Sequence, residues 1–132
     1  MKIFGEFTVK LQPIDSYAAG VDGIKLGRMS IDKTFLGALE ASSKGEMLSA
    51  LTGVKGSAGY IALEQVVGSL SNKKGSFVLQ HFGTMNRGRD FLILEVVPDS
   101  ATGELSGLSG KMSIKIENGK HFYEFEYELA EK

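Results

Sequence analysis

Glu64 and His81 are the carboxylate and imidazole that the sequence places together on an apolar strand face. Alternation puts both inward in neighbouring strands, among large apolar residues. In a dry interior the carboxylate would favour the charged imidazole, although burial would oppose both charges. Such a pair could transfer protons or hold a polar ligand group. The competing interpretation is a buried pair that fixes strand register and has no chemical role.

Lys33 is a second candidate, because it interrupts the otherwise apolar alternation of Met29, Ile31 and Phe35. An inward lysine could be the counter-ion of Glu64, an anchor for a ligand carboxylate or a Schiff-base former. The alternative is a lysine near a strand end whose ammonium group reaches water.

Three tyrosines, Tyr60, Tyr123 and Tyr127, share the expected inner face. Their rings could line a pocket while their hydroxyls orient a ligand, or they could be core residues with satisfied hydroxyls. The candidate catalytic residues are Glu64 and His81. The candidate ligand-binding residues are Lys33, Tyr60, Glu64, His81, Leu94, Met112 and Tyr123.

Several other kinds of site are unfavourable. The chain has no cysteine, and its two histidines, His81 and His121, lie in separate strands without zinc-ligand spacing. No glycine-rich loop precedes a helix, as nucleotide-binding motifs require. The net charge is −1, with lysines and glutamates interspersed. We therefore expect no metal, no cofactor, and neither nucleic acid nor membrane as a partner.

The hairpin near the carboxyl terminus shows how the strands must pair. Two alternating runs are joined by Asn118-Gly119, the dipeptide that suits a type I′ turn. This turn pairs Ile114 with Tyr123 on one face and Lys111 with Glu126 on the other. Apolar pairs and opposite charges thus agree on one register.

The middle hairpin positions the acid–imidazole pair. A four-residue loop over 71–74 pairs Leu70 with Gly75 and sets Glu64 opposite His81. The next turn, at Arg87-Gly88, then sets His81 against Leu94.

Parity divides the fourth, fifth and sixth strands into two apolar faces. The inner set is Tyr60, Glu64, Val66, Leu79, His81, Leu94 and Val96. The outer set, called the outer apolar patch, is Ile61, Leu63, Val67, Val78, Phe82, Phe91 and Ile93. Such a patch is normally covered, by the 13–27 connection or by a second subunit. We favour a homo-oligomer, with a dimer through Ile61, Leu63, Val67, Val78, Phe82 and Ile93.

Alternation and turn residues predict eight strands, near 3–12, 28–39, 44–52, 57–69, 75–86, 90–97, 110–117 and 120–129. Consecutive hairpins favour an all-β, antiparallel up-and-down barrel, since closure removes exposed edges, with a sandwich as the alternative. The length of 132 residues fits one domain over 1–132. The 13–27 connection is expected to be a mobile loop or a short helical turn, and 103–110 a second packed loop.

Several segments resemble a small bacterial family, domain of unknown function 3224. They are GRMSIDKTF (27–35), KGSAGY (55–60), GSFVLQHFGTMNR (75–87), VPDS (97–100) and the closing GKHFYEF (119–125). That family is grouped with the allene oxide cyclase-like barrels, which are similar to calycins. The resemblance implies a closed barrel of about eight strands and no assigned activity.

The plant cyclases of that group steer an unstable fatty-acid epoxide inside an apolar barrel. No catalytic motif of theirs matches here, so none is transferred. Phe82 replaces a small polar residue of the relatives, which would enlarge the outer apolar patch.

Three functions remain open. The first is a binding module for a small, largely apolar molecule in the barrel lumen. The second is an isomerase or cyclase in which Glu64 and His81 move protons. The third is an interaction protein with a filled core. The amino terminus has no apolar leader and no segment reaches membrane-spanning length, so we expect a cytoplasmic protein.

Overall fold

Eight antiparallel strands close into one barrel in the computed structural model, which describes residues 1–130. The strands are β1 (Lys2–Ile14), β2 (Lys25–Gly37), β3 (Leu39–Leu51), β4 (Ala58–Leu70), β5 (Lys73–Asn86), β6 (Arg89–Val96), β7 (Leu108–Glu117) and β8 (Lys120–Leu129). A single 3₁₀ turn, Gly103–Leu105, is the helical element of these 130 residues. The predicted all-β closed barrel is confirmed, and the sandwich alternative is wrong.

Each strand pairs with its neighbour in sequence, and the barrel closes where β1 meets β8. At this seam Ile3 lies opposite Phe125 and Phe7 opposite His121. Closure gives every strand a partner on both sides, although β6 and β7 are joined only through the pair of Glu95 and Lys111.

The β7–β8 hairpin has the predicted register. Asn118 and Gly119 take positive φ values of 52° and 77°, as a type I′ turn requires. Ile114 therefore pairs with Tyr123 on the inner face and Lys111 with Glu126 on the outer face.

The predicted four-residue loop between β4 and β5 is wrong. Ser71 and Asn72 take φ values of 48° and 69° and form a two-residue turn. Leu70 therefore pairs with Lys73 rather than with Gly75. Small polar residues tolerate this left-handed conformation, which shortens the loop and moves the register by two positions.

The corrected register places Glu64 opposite Leu79 and His81 opposite Ala62. Because the shift is an even number of residues, every side chain keeps the face that was predicted for it. Glu64 and His81 become diagonal neighbours instead of direct partners, a spacing that long side chains still bridge. The Arg87-Gly88 turn is as predicted and pairs His81 with Leu94.

One half of the barrel, its closed half, is filled with side chains. This half is bounded by the Ser71-Asn72 turn and by the 97–107 connection, whose Leu105 is 1% exposed. Phe77 and Phe125 stack there with ring centroids 6.0 Å apart. Other members of this core are Phe35, Leu39, Val66, Leu70, Leu79, Leu94, Val96, Leu108, Met112, Tyr123 and Tyr127.

The other half, the open half, is bounded by the connections 15–24, 52–57, 87–88 and 118–119. The 15–24 connection consists of bends and a turn without a helix. It leaves the outer apolar patch uncovered, since Ile61, Leu63 and Phe82 remain about half exposed. Within residues 1–130, no helix is long and apolar enough to cross a membrane.

Candidate functional site

The open half of the barrel encloses a cavity of about 800 Å³. Lys33 and His81 face this cavity from the middle of the barrel, where the filled half begins. Its walls are mainly apolar, and they include Val9, Met29, Ile31, Met47, Ala62 and Ile114. The lumen is thus filled in one half and hollow in the other, a possibility that strand counting alone had left open.

A buried polar cluster forms the floor of this cavity. Glu64 Oε2 accepts hydrogen bonds from Lys33 Nζ at 2.8 Å and from His81 Nε2 at 2.5 Å. Glu64 Oε1 accepts a third from Ser43 Oγ at 2.6 Å. All four side chains are less than a tenth exposed. The carboxylate therefore holds together three donors from three other strands.

Strand pairing brings these groups into contact. Lys33 and Ser43 are direct cross-strand partners on β2 and β3. Gly45 of β3 lies opposite Glu64, and a Cβ at this position would collide with the Leu63 carbonyl and the Glu64 Cα. The glycine thus lets β3 approach the Glu64 backbone closely, a role that only a residue without a side chain can fill.

The electrostatics of the cluster keep Glu64 ionised. Burial alone would raise the pKa of this carboxyl group, but the hydrogen bond from His81, the charge of Lys33 and the Ser43 hydroxyl outweigh it. Together they lower the pKa of Glu64 from 4.5 to about 2. An ionised carboxylate only accepts hydrogen bonds, so His81 Nε2 must carry the proton that they share.

The second imidazole nitrogen, His81 Nδ1, is open to the cavity. Every buried side-chain nitrogen and oxygen in the described part of the chain has a hydrogen-bond partner, whereas His81 bonds only through Nε2. Nδ1 must therefore be accessible, and the space that this ring lines is the cavity. Nδ1 can accept a proton from a ligand, or donate one when the ring is charged.

Tyr60 lies beside the imidazole, with ring centroids 6.1 Å apart. Its ring occupies space that a Cβ at Gly83, its partner on β5, would fill. Burial and the nearby charge of Glu64 raise the pKa of the Tyr60 hydroxyl, so it stays protonated at neutral pH. No hydrogen bond contributes to this shift, so the hydroxyl can donate to a ligand.

Lys33 is buried inside the barrel and does not extend to the outer surface. It lies within β2 rather than at a strand end, and it is 7% exposed. Its ammonium group lies 5.1 Å from the centre of the Phe7 ring and 5.8 Å from that of Phe35. These rings and Glu64 stabilise a buried cation that faces the cavity.

The other predicted binding residues lie elsewhere. Leu94, Met112 and Tyr123 belong to the packed core of the closed half and are absent from the cavity walls. The Tyr123 hydroxyl donates to the Leu36 carbonyl at 2.9 Å and accepts from the Leu39 amide at 3.2 Å. Tyr123 is thus a structural residue, and the binding site proposed below leaves these three out.

Two polar residues of the cavity region were not singled out from the sequence. Ser43 completes the hydrogen bonds of Glu64, and His121 lines the wall with its ring centroid 5.2 Å from that of Phe7. Pairing across the Gly37 turn, where φ is 111°, would have revealed that Ser43 faces Lys33. Among the described residues, no group of three histidine, aspartate or glutamate side chains is placed to hold a metal ion.

Comparison with known proteins adds a family but no activity. The chain matches the family described as "Protein of unknown function (DUF3224)" over residues 3–127. Among solved structures it is similar to a protein of unknown function from the same family in Shewanella oneidensis MR-1. The two are 61% identical, with a TM-score of 0.96 over 99% of this chain and 98% of that one. No curated protein matches.

Proposed function

Since the chain belongs to the DUF3224 family, which is described only as being of unknown function, we propose its function from the geometry of the barrel. It binds one small, largely apolar molecule in the open half of the lumen. The cavity, with its apolar walls and polar floor, is the observation that carries this proposal.

The size and composition of the cavity fit a ligand site. Its volume of about 800 Å³ falls in the range of small-molecule pockets. Apolar walls favour an apolar ligand through the hydrophobic effect, and the few convergent polar groups at the floor would orient it. A core that served stability alone would be close-packed, as the closed half is.

Filling the cavity should abolish binding without unfolding the protein. Met29 lines the cavity wall between the polar floor and the open end, and it takes no part in the hydrogen bonds of the floor. We expect Met29→Trp to weaken the binding of decan-1-ol at least tenfold in isothermal titration calorimetry. The indole would occupy the space that the alkyl chain of the ligand needs.

Leu36→Trp is the matched control, since Leu36 lies on the same strand but is 49% exposed on the outside. It should bind decan-1-ol like the wild type. The proposal fails if the wild type binds no apolar compound, or if both tryptophan variants bind equally well.

A second candidate is an isomerase or cyclase in which the floor acts as acid and base. The observation in its favour is His81 Nδ1, an accessible base whose ring Glu64 fixes through Nε2. This candidate needs a cavity ligand that the wild type converts and His81→Gln binds but does not convert. Binding without any conversion would leave the first function alone.

The cytoplasmic location remains part of this proposal. It rests on the expectation drawn from the sequence, and separation of cytoplasmic from envelope fractions of the source cells would test it.

A further inference from the structure

We propose that the ligand is a monocarboxylate with an apolar chain, bound with its head group on the floor of the cavity and its chain toward the open end. This inference rests on the proposed function and names its ligand class. It follows from counting which hydrogen-bonding groups of the floor remain unused.

Both oxygens of the floor carboxylate are already occupied. Both oxygens of Glu64 accept hydrogen bonds, one from Ser43 and the other from Lys33 and His81. A ligand group that donates hydrogen bonds would compete with these three donors for the same carboxylate. The floor carboxylate therefore offers no free oxygen to a head group that only donates.

The donors of the floor are in surplus. Lys33 Nζ carries three N–H groups and makes a single hydrogen bond within residues 1–130. The Tyr60 hydroxyl is a second unused donor, since no hydrogen bond contributes to the shift of its pKa. Lys33, Tyr60 and His81 line the same cavity, and Lys33 and His81 bind the same oxygen of Glu64. With its proton on Nε2, His81 offers Nδ1 as an acceptor, so the unused donors are those of Lys33 and Tyr60. An acceptor-rich group such as a carboxylate would satisfy these two donors together.

The charge of the cluster can accommodate an anion. Lys33 and Glu64 offset each other, so a ligand carboxylate meets a floor with little net charge. The phenol of Tyr60 then donates without adding charge.

The depth of the cavity suits a chain attached to this head group. Lys33, Ile31, Met29 and Gly27 follow one another along the inner face of β2 toward the open end. At about 3.3 Å per residue and a strand tilt of about 40°, this distance is roughly 15 Å along the barrel axis. A chain the length of decanoate can extend along it between the apolar walls.

Calorimetric titration tests the inference, with decanoate kept below its micelle concentration and decan-1-ol below its solubility limit in water. The two probes share a chain length and differ in the head group. We expect decanoate to bind at least tenfold more tightly, because only the carboxylate accepts from several donors at once. Equal or tighter binding of decan-1-ol would overturn the head-group assignment while leaving the proposed function intact. Failure of both probes to bind would overturn both.

Two variants locate the head group. Lys33→Met should weaken the binding of decanoate at least tenfold and the binding of decan-1-ol less than about twofold. Tyr60→Phe should weaken the binding of decanoate about threefold to tenfold, and it should fold normally because no hydrogen bond to the protein shifts the pKa of this hydroxyl. If Lys33→Met fails to fold, Tyr60→Phe decides alone. Unchanged decanoate binding in Tyr60→Phe would contradict the proposed contact.

A different observation supports a second proposal: a second copy of this chain covers the outer apolar patch. Strand pairing aligns Leu48, Ile61, Phe82 and Ile93 in one row across β3 to β6. These four side chains are 42–52% exposed. Leu48 thus extends the outer apolar patch by one strand.

The area of the patch fits a dimer interface. The row and its neighbours Leu63, Val67 and Phe91 are each about half exposed, which amounts to roughly 700 Å² for seven large side chains. A standard interface buries about 800 Å² on each partner. An identical patch on a second copy matches in size and chemistry, as a two-fold axis requires. The opposite side of the barrel carries charged pairs such as Lys111–Glu126 and is unsuited to this role.

Sedimentation equilibrium at micromolar concentration should find a dimer. Phe82→Glu should convert it to a monomer, because it places a charge at the centre of the apolar row. Phe4→Glu is the control, since Phe4 is an exposed phenylalanine on β1 outside the patch, and it should leave the dimer intact. A monomeric wild type, or an oligomer that persists in Phe82→Glu, would contradict this interface.

Discussion

Replacing Glu64 by glutamine should lower the free energy of unfolding by about 3–5 kcal/mol. The side chain is 1% exposed and is the common hydrogen-bond acceptor of Lys33, Ser43 and His81. An amide of the same size still accepts hydrogen bonds, but it leaves the charge of the buried Lys33 uncompensated. Urea denaturation followed by circular dichroism measures the loss.

The controls for this variant use the same chemical change. Glu46→Gln removes an exposed ion pair with Arg28, with side chains that are 54% and 38% exposed, and should cost at most about 1 kcal/mol. The double variant Lys33→Met with Glu64→Gln removes the orphaned charge and should recover part of the lost stability. Equal losses in Glu64→Gln and Glu46→Gln would show that the cluster contributes no more than a surface pair.

The same carboxylate should govern acid stability. Its pKa is about 2 in the folded protein, below the 4.5 of an unperturbed glutamate. The stabilisation it provides is therefore complete above about pH 4.5 and is lost as the pH falls toward 2, amounting to about 3 kcal/mol. Glu64→Gln should lack this part of the acid dependence. A wild type and a variant with parallel stability curves between pH 5 and 2 would contradict the assignment.

Phe125→Ala should also destabilise the protein by about 3–5 kcal/mol. Phe125 is fully buried in the closed half, between Phe77 at 6.0 Å and Tyr127 at 5.3 Å between ring centroids. Removing its ring leaves a void that the stacked neighbours cannot fill, so both the transfer energy and the packing contacts are lost. Thermal unfolding should show a fall in Tm of about 10 °C or more.

Phe4→Ala provides the comparison, because Phe4 is 64% exposed on the outer face of β1. Surface substitutions of this kind change stability by about 0.5 kcal/mol or less. A small effect of Phe125→Ala would mean that the closed half is less tightly packed than its burial indicates.

Local chemistry allowed much of the fold to be predicted. Asn118-Gly119 has few alternatives to a two-residue turn, and charges opposite each other across β7 and β8 support the same register. Parity assigned Glu64 and His81 to the inner face, because alternation along a strand does not depend on the loop that joins it to the next one.

Loop length was the weak point. Ser71-Asn72-Lys73-Lys74 contains no glycine, and the sequence gives little reason to prefer a turn of two residues over one of four. The error shifted the β4–β5 register by two positions and left both faces unchanged. Direct pairing of Glu64 with His81 was therefore wrong, although the two side chains do meet.

The alternation along each strand predicts which side chains point inward, but not how far along the barrel axis each one lies. Tyr60 and Tyr123 both point inward, but one lines the cavity and the other is fixed in the core by the backbone of Leu36 and Leu39. Which half is hollow depends on the sizes of all inward side chains together. It also depends on Leu105, which reaches the closed half from a connection rather than from a strand.

The filled half and the hollow half of the barrel differ in how many substitutions they can tolerate. Folding depends on the aromatic stack around Phe125, whereas wall positions such as Met29 and Met47 lie outside the packed core. Substitutions near the open end can therefore change which ligand is bound with little loss of stability. The same scaffold can therefore carry different specificities above one anchored base.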